Sequence, residues 1–243
     1  MRRQVFAFSG VLEPRPGERG NRPLLEHALA LGGARRVTGG PVRLCYVPTA
    51  VGDDPAAVSA YQRVFGGRED VVLSVLQLFP QPSVPDVRTH LLTQDVVLVE
   101  GGSVVNLMAV WRAHRLPAVL RECWEVGVVL AGPSAGSLCW HTGGPTDSWS
   151  DRLAPFTDGL GLLPYSNAVH DDMAGQPRRE AYRSMVAAGA LPAGYATEDG
   201  VGLHYLGTEL AEAVTVRPGA RAWRVEADGV GGWTERAVNA RPI

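Results

Sequence analysis

The sequence predicts an α/β fold: a mostly parallel sheet with helices on both faces, and antiparallel strands added near the C-terminus. Three observations carry this. Short β-rich runs alternate with segments of helical period from the N-terminus to about residue 136. Those runs are near-continuous apolar stretches, as strands buried on both faces require, and parallel strands need crossovers that are usually helices. Beyond about residue 190 the texture changes to short strands separated by turn signals.

Taken in order, QVFAFSG (4–10) is the first strand and PLLEHALALGG (23–33) its helix. PVRLCYVPTA (41–50) precedes the helical DPAAVSAYQRVFGG (54–67), and VVLSVLQLF (71–79) precedes PDVRTHLLT (85–93). DVVLVEGG (95–102) leads into VVNLMAVWRAH (104–114) and LPAVLRECWEVG (116–127), and VVLAGPSAG (128–136) is the fifth strand with its turn. GYATED (194–199), GVGLHYLG (200–207), EAVTVRP (212–218) and RAWRVEADG (221–229) read as late strands at the sheet edge. No internal repeat or low-complexity linker divides the 243 residues, so one domain over 1–243 is expected.

Composition narrows the function classes. With 45% hydrophobic and 20% charged residues the chain is far from disordered compositions. A net charge of -2 and a pI near 6.3 give no electrostatic footprint for nucleic acid or an anionic membrane. Glu13 and Pro14 interrupt the N-terminal apolar stretch before a signal-peptide core can form, and no apolar run reaches the length of a membrane helix. A cytoplasmic location is therefore expected. Cys45, Cys123 and Cys139 contain no CxxC pair, so they read as buried free thiols, and neither a disulfide framework nor a metal site is expected.

In open α/β sheets the ligand site lies beyond the carboxyl ends of the strands. Two such ends stand out: Gly101-Gly102, and Gly132-Pro133-Ser134-Ala135-Gly136. The second is a G-x-S-x-G turn after a strand, with SLCW able to begin a helix. Small neighbours at such a turn let the backbone hold a serine exposed and strained, which is what a nucleophile elbow needs. A capping serine or a phosphate-binding helix start are the competing readings.

A serine hydroxyl needs a base. His27, His90 and His114 fall in helical patterns before the elbow and read as helix-surface residues. His141 is placed where a helix has carried it away from Ser134. His170 ends the apolar stretch LGLLPYSNAVH, where a strand end presents it, and His204 lies in a late strand. The orienting acid is sought at Glu198 or Asp199, with Asp147 and Asp151 as competitors; Asp171 and Asp172 read as solvated loop charges. The Ala135 N–H and the Gly101-Gly102 turn are candidate donors for a tetrahedral oxyanion.

Four ordered segments resemble one known group, the peptidase E family of aspartyl dipeptidases and relatives that include the cyanophycinases. VLVEGGSVVNLMAVWRAH (97–114) is similar to its GG-N-T-x-x-L-L strand end and helix, and GPSAGSLCW (132–140) to its G-x-SAG-A element. LGLLPYSNAVH (160–170) is similar to its L-G-L-L-P…PH segment, and YATEDGVGL (195–203) to its D/E-G-x-x-L segment. The resemblance covers nearly the whole chain and implies a class I glutamine amidotransferase-like, flavodoxin-like sheet. It implies a cofactor-free serine peptidase acting on small peptides, with Ser134 as nucleophile, His170 as base and Asp199 as acid, Asp147 being an alternative. It further implies Gly102 and Ala135 as oxyanion donors, and Arg178, in GQPRR, as the substrate-binding arginine that reads an acidic side chain. Neither nucleic acid nor membrane is an expected partner, and a homodimer is left open.

Departures lie around the pocket: Ser103 replaces an asparagine after the glycines, Val169 a proline before the histidine, and Asp171 an aromatic after it. They set strict Asp-X specificity against a broader one, and keep open a decayed small-ligand binding protein. An α/β-hydrolase esterase shares the elbow but orders its partners Ser, acid, His. That order would need His204 with Asp147 or Asp151. A glutamine amidotransferase would need a cysteine at the elbow, and Cys139 is five residues late.

Overall fold

In the computed structural model, which describes residues 2–10, 20, 22–34, 36 and 39–243, the five expected strands lie side by side. β1 (Gln4–Phe8), β2 (Val42–Val47), β3 (Val71–Val75), β4 (Val96–Val99) and β5 (Val129–Pro133) run parallel in the order β1-β5-β4-β2-β3. Glu13 and Pro14 lie outside the described residues. Among the described residues no helix is long and apolar enough to cross a membrane.

Successive strand residues face opposite sides of the sheet, and the core divides accordingly. Val5, Ala7, Cys45, Val47, Val97, Val99 and Leu130 join one apolar cluster. Phe6, Phe8, Leu44, Tyr46, Val96, Leu98, Val129 and Ala131 join the other. Two helices, α1 (Arg22–Gly33) and α2 (Pro55–Phe65), cover the latter face through Leu24, Leu25, Leu29, Tyr61 and Phe65. On the former face α3 (Val87–Leu92), α4 (Val104–Ala113) and α5 (Leu116–Glu125) contribute Leu91, Leu107, Met108, Trp111, Leu120 and Trp124. Each such side chain contributes roughly 1.5–3 kcal/mol by leaving water. That double demand explains why the strands are apolar at nearly every position. The helix starts are marked chemically, by Asp54 capping α2 with Pro55 behind it, Asp86 capping α3 and Ser103 capping α4.

The later strands follow the expectation only in part. β10 (Val201–Leu206) pairs antiparallel with β1, and β11 (Glu209–Thr215) antiparallel with β10, extending the first sheet. β14 (Ala240–Pro242), however, runs parallel to β11. β9 (Gly194–Thr197), β12 (Ala222–Ala227) and β13 (Trp233–Val238) leave the first sheet and join β6 (His141–Thr146), β7 (Ala154–Phe156) and β8 (Leu163–Ala168). This second sheet has the order β13-β12-β9-β8-β6-β7, and β6, β8 and β9 within it are parallel. Burial explains the correction: all four residues of β9 are buried, which suits an interior strand and not an edge. The helix α7 (Arg178–Ala187) packs on this sheet through Tyr182 and Val186, against Ala168, Ala196 and Val225. One apolar cluster runs from Val5, Leu203 and Tyr205 of the first sheet to Trp140, Leu163 and Tyr195 at the second. The carboxyl ends of β1, β4 and β5 therefore open towards the end of β8.

Candidate active site

Ser134 links β5 to α6 (Ala135–Leu138) with φ 51° and ψ -116°, a backbone conformation that a non-glycine residue rarely adopts. The small residues around it are required by close approach. A Cβ on Gly136 would fall 2.1 Å from the Val99 carbonyl oxygen, so the elbow can cross the end of β4 only with glycine there. The helix is one turn long, shorter than expected, and the chain re-enters a strand at His141. His141 is thus a fully buried strand residue bonded to the Ser137 carbonyl at 2.9 Å. Burial, opposed by that bond, lowers its pKa to about 4, so it is neutral at physiological pH.

The expected base arrives from the second sheet. Phe8 of β1 pairs with Pro133, and its carbonyl accepts the Ser134 N–H at 3.2 Å. The next residue, Ser9, is fully buried, and its hydroxyl accepts the His170 N–H at 3.2 Å and donates to the Thr197 carbonyl at 3.1 Å. Ser9 therefore ties the end of β1 to the loop after β8 and to the end of β9. It escaped the sequence reading; a serine directly after the first strand, at the sheet's carboxyl end, was the available signal. His170 is buried with φ 58°, and its Nδ1 lies 2.5 Å from Asp199 Oδ1. A carboxylate acceptor requires the proton on Nδ1, which leaves the Nε2 lone pair as the basic position.

The four carboxylates near His170 separate by partner. Glu198 accepts from Arg179 at 3.0 Å and from the Arg221 N–H at 2.9 Å. Asp171 is not a solvated loop charge: its side chain is fully buried against Arg183 at 2.5 Å and Arg179 at 2.9 Å. The reason is that α7, starting seven residues on, presents Arg179 and Arg183 one turn apart on a single face. Asp172 accepts the Asp199 N–H and pairs with Arg217. Asp199 is the one whose carboxylate meets the imidazole. Because the Asp171–Arg183 pair is buried, Asp171→Asn is expected to destabilise the fold by about 3 kcal/mol, read as a lower urea midpoint at unchanged slope.

The second glycine turn lies against the elbow. A Cβ on Gly101 would stand 3.2 Å from Ser134 Cβ, and Gly102 has φ 130° with the space for a Cβ taken by the Ala50 carbonyl at 2.4 Å. Glu100 braces this turn, accepting the Gly101 N–H at 2.8 Å and the Tyr46 hydroxyl at 2.6 Å. Ser103 keeps it tied: its N–H reaches the Ala50 carbonyl at 2.9 Å and its hydroxyl caps α4 through the Asn106 N–H. Ala135, opening α6, has an N–H without an intrahelical acceptor by position.

A cavity of about 20 Å³, room for one water-sized group, is lined by Gly102, Ser134, Ala135, Asp147, Val169 and Arg178 among others. Arg178 is buried there and donates to Asp147 Oδ2 at 2.9 Å, while its Nε has no hydrogen-bond partner among the described residues. Burial of Asp147 opposes its ionisation, but the Gln176 amide and the Arg178 guanidinium outweigh that and hold its pKa below the ordinary value. Asp147 thus faces Arg178, and Asp151 is exposed.

The remaining histidines lie elsewhere. His204 is buried on β10 beside Gln4 at 3.0 Å and Glu212, the arrangement of a satisfied strand residue. His27 is half-buried near the same Glu212, His90 is half-buried with its Nε2 3.1 Å from Ser74 Oγ, and only His114 of the three helix histidines is exposed. All three cysteines are buried free thiols, and burial raises the pKa of Cys139 well above the ordinary thiol value. No cluster of three or more His, Cys, Asp or Glu with metal-holding geometry occurs among the described residues.

Comparison with known proteins gives the family. The model of peptidase family S51 matches residues 26–213. The Bacillus subtilis (strain 168) protein named uncharacterized peptidase YgaJ is 39% identical over 185 residues, which are 75% of this chain and 77% of that protein. Among solved structures, a peptidase from an acI-B1 Actinobacterium superposes with a TM-score of 0.68 at 16% identity, covering 99% of this chain and 95% of that one. A Listeria monocytogenes EGD-e protein assigned to peptidase E gives a TM-score of 0.60 at 16% identity, covering 89% and 100%. The two structures share the fold, and the family match with the identity to the Bacillus protein shows the rest: the chain belongs to peptidase family S51 and is a serine peptidase.

Proposed function

We propose that the enzyme hydrolyses dipeptides or short peptides at the N-terminal residue through an acyl-enzyme on Ser134. The observation that carries the proposal is the strained elbow at Ser134, set on the same sheet end to which Ser9 ties the His170–Asp199 pair. On this reading Ser134 Oγ attacks the substrate carbonyl carbon as His170 Nε2 takes the hydroxyl proton. The Gly102 and Ala135 N–H groups hold the oxyanion, the donor placement that gives electrostatic preorganisation its large effect. Collapse breaks the peptide C–N bond, and the imidazolium returns the proton to the leaving amine. Water then repeats the sequence and frees the N-terminal product.

Arg178 is the residue of choice for a substrate carboxylate, its buried Nε having no hydrogen-bond partner among the described residues. Asp147 already neutralises much of that charge, so an acidic side chain has to share Arg178 with it. Asp-X is therefore preferred over neutral N-terminal residues, but not exclusively. A dipeptide panel tests this: Arg178→Ala should lower kcat/KM on Asp-X by roughly 10- to 100-fold, the worth of a charge-assisted hydrogen bond, and affect Ala-X much less. An equal loss on Ala-X would remove the side-chain role from Arg178.

A further inference from the structure

We propose that Arg217 and Asp172 are positioning residues that hold the acid of the triad by its backbone; this rests on Asp199 being that acid. Arg217 Nε donates to the Asp199 carbonyl at 2.8 Å. Asp172 accepts the Asp199 N–H through Oδ1 at 2.9 Å, and its Oδ2 pairs with Arg217. Both polar ends of one residue are thus gripped by two side chains that also grip each other. The contact is built into the fold on both sides. Asp172 follows His170 by two residues, and the Met173 N–H closes that turn on the His170 carbonyl at 3.0 Å. Arg217 ends the β10–β11 hairpin, where its own N–H is fixed by Thr215 Oγ1 at 3.2 Å. Gly200, with φ 88°, disfavours a side chain, and a Cβ there would stand 3.0 Å from Arg217 Cβ, a tight contact.

The consequence is geometric. The Asp199 side chain is 43% exposed, so packing does not fix its direction towards His170. Its backbone is fixed instead, and the base loop and the acid loop move as one unit through Asp172. Asp171 is committed to Arg183, and Glu198, bonded to Arg179 at 3.0 Å, comes only within 3.8 Å of Arg217, so neither reaches the Asp199 backbone as the clamp does.

The test is a double-mutant cycle on a short peptide, with the melting temperature of each variant recorded. Arg217→Gln should lower kcat by on the order of 10- to 100-fold, the cost of about 1 Å of misplacement in a reacting group, with KM within about twofold. Arg217→Lys, which keeps one of the two contacts, should recover part of the loss, and Asp172→Asn, which keeps an acceptor for the Asp199 N–H, should fall between. In an Asp199→Asn background Arg217→Gln should cost nothing more, because the clamp acts only through that carboxylate. A loss that multiplies in that background, or an unchanged kcat in Arg217→Gln, overturns the clamp while leaving the triad standing. Full activity in Asp199→Asn alone overturns the acid assignment, and the clamp with it.

Discussion

Replacing Ser134 with alanine is expected to abolish labelling by a fluorophosphonate probe and to lower kcat on a short peptide by on the order of 10⁵- to 10⁶-fold. That is the scale seen when the nucleophile of a serine peptidase is removed, the remainder coming from the oxyanion donors and binding. The structure makes this a clean substitution. The side chain is confined to one hydroxyl beyond Cβ, and alanine has the same Cβ, so the strain at φ 51° is unchanged. The fixed contacts of the residue are backbone ones: the N–H on the Phe8 carbonyl, and the carbonyl under Ser137 and Leu138. Stability should therefore hold within about 0.5 kcal/mol, the range of substitutions that touch no buried contact. A wild-type enzyme that the probe does not label would favour the binding-protein reading, and an alanine variant that still labels would move the nucleophile elsewhere.

What the sequence disclosed, and what it hid, follows from where the information is local. The five parallel strands were legible because each must be apolar on two faces, as Val96–Val99 is, and their helices because apolar residues recur at helical period between them. The strand His141–Thr146 was not, since HTGGPT carries no β signal. Gly144 is there because its Cβ would fall 1.9 Å from the Asn167 carbonyl, a demand set by a neighbouring strand and invisible in composition. Its partner Leu163–Ala168 was read as an apolar stretch ending at His170, which placed the histidine well without revealing a second sheet. Asp171 was misread because its partners, Arg179 and Arg183, lie on a helix whose facing is fixed only by packing. The elbow itself was plain, since glycine, serine and glycine at that spacing encode a turn and a nucleophile in five residues.

Glu198 and Asp199 are a harder case, two adjacent acids that local pattern cannot rank, and they give the second large effect. Asp199→Asn is expected to lower kcat by about 10⁴-fold while Glu198→Gln stays within a few-fold of wild type. The first figure follows the trypsin precedent for an acid-to-amide change in a triad. An asparagine amide can present its N–H₂ to His170 Nδ1, so the ring is held with its proton on Nε2 and cannot receive one from Ser134. Glu198, by contrast, meets Arg179 and the Arg221 N–H through separate oxygens, so its amide analogue keeps one of those acceptors and gives up the other without touching His170. Asp147→Asn separates the remaining alternative. With its carboxylate against Arg178 and Gln176, that change should alter the ratio of Asp-X to Ala-X turnover and leave kcat on neutral substrates near wild type. If kcat instead collapses in Glu198→Gln or Asp147→Asn and survives in Asp199→Asn, the 2.5 Å contact between His170 and Asp199 is a resting-state ion pair and the acid of the triad lies at the other residue.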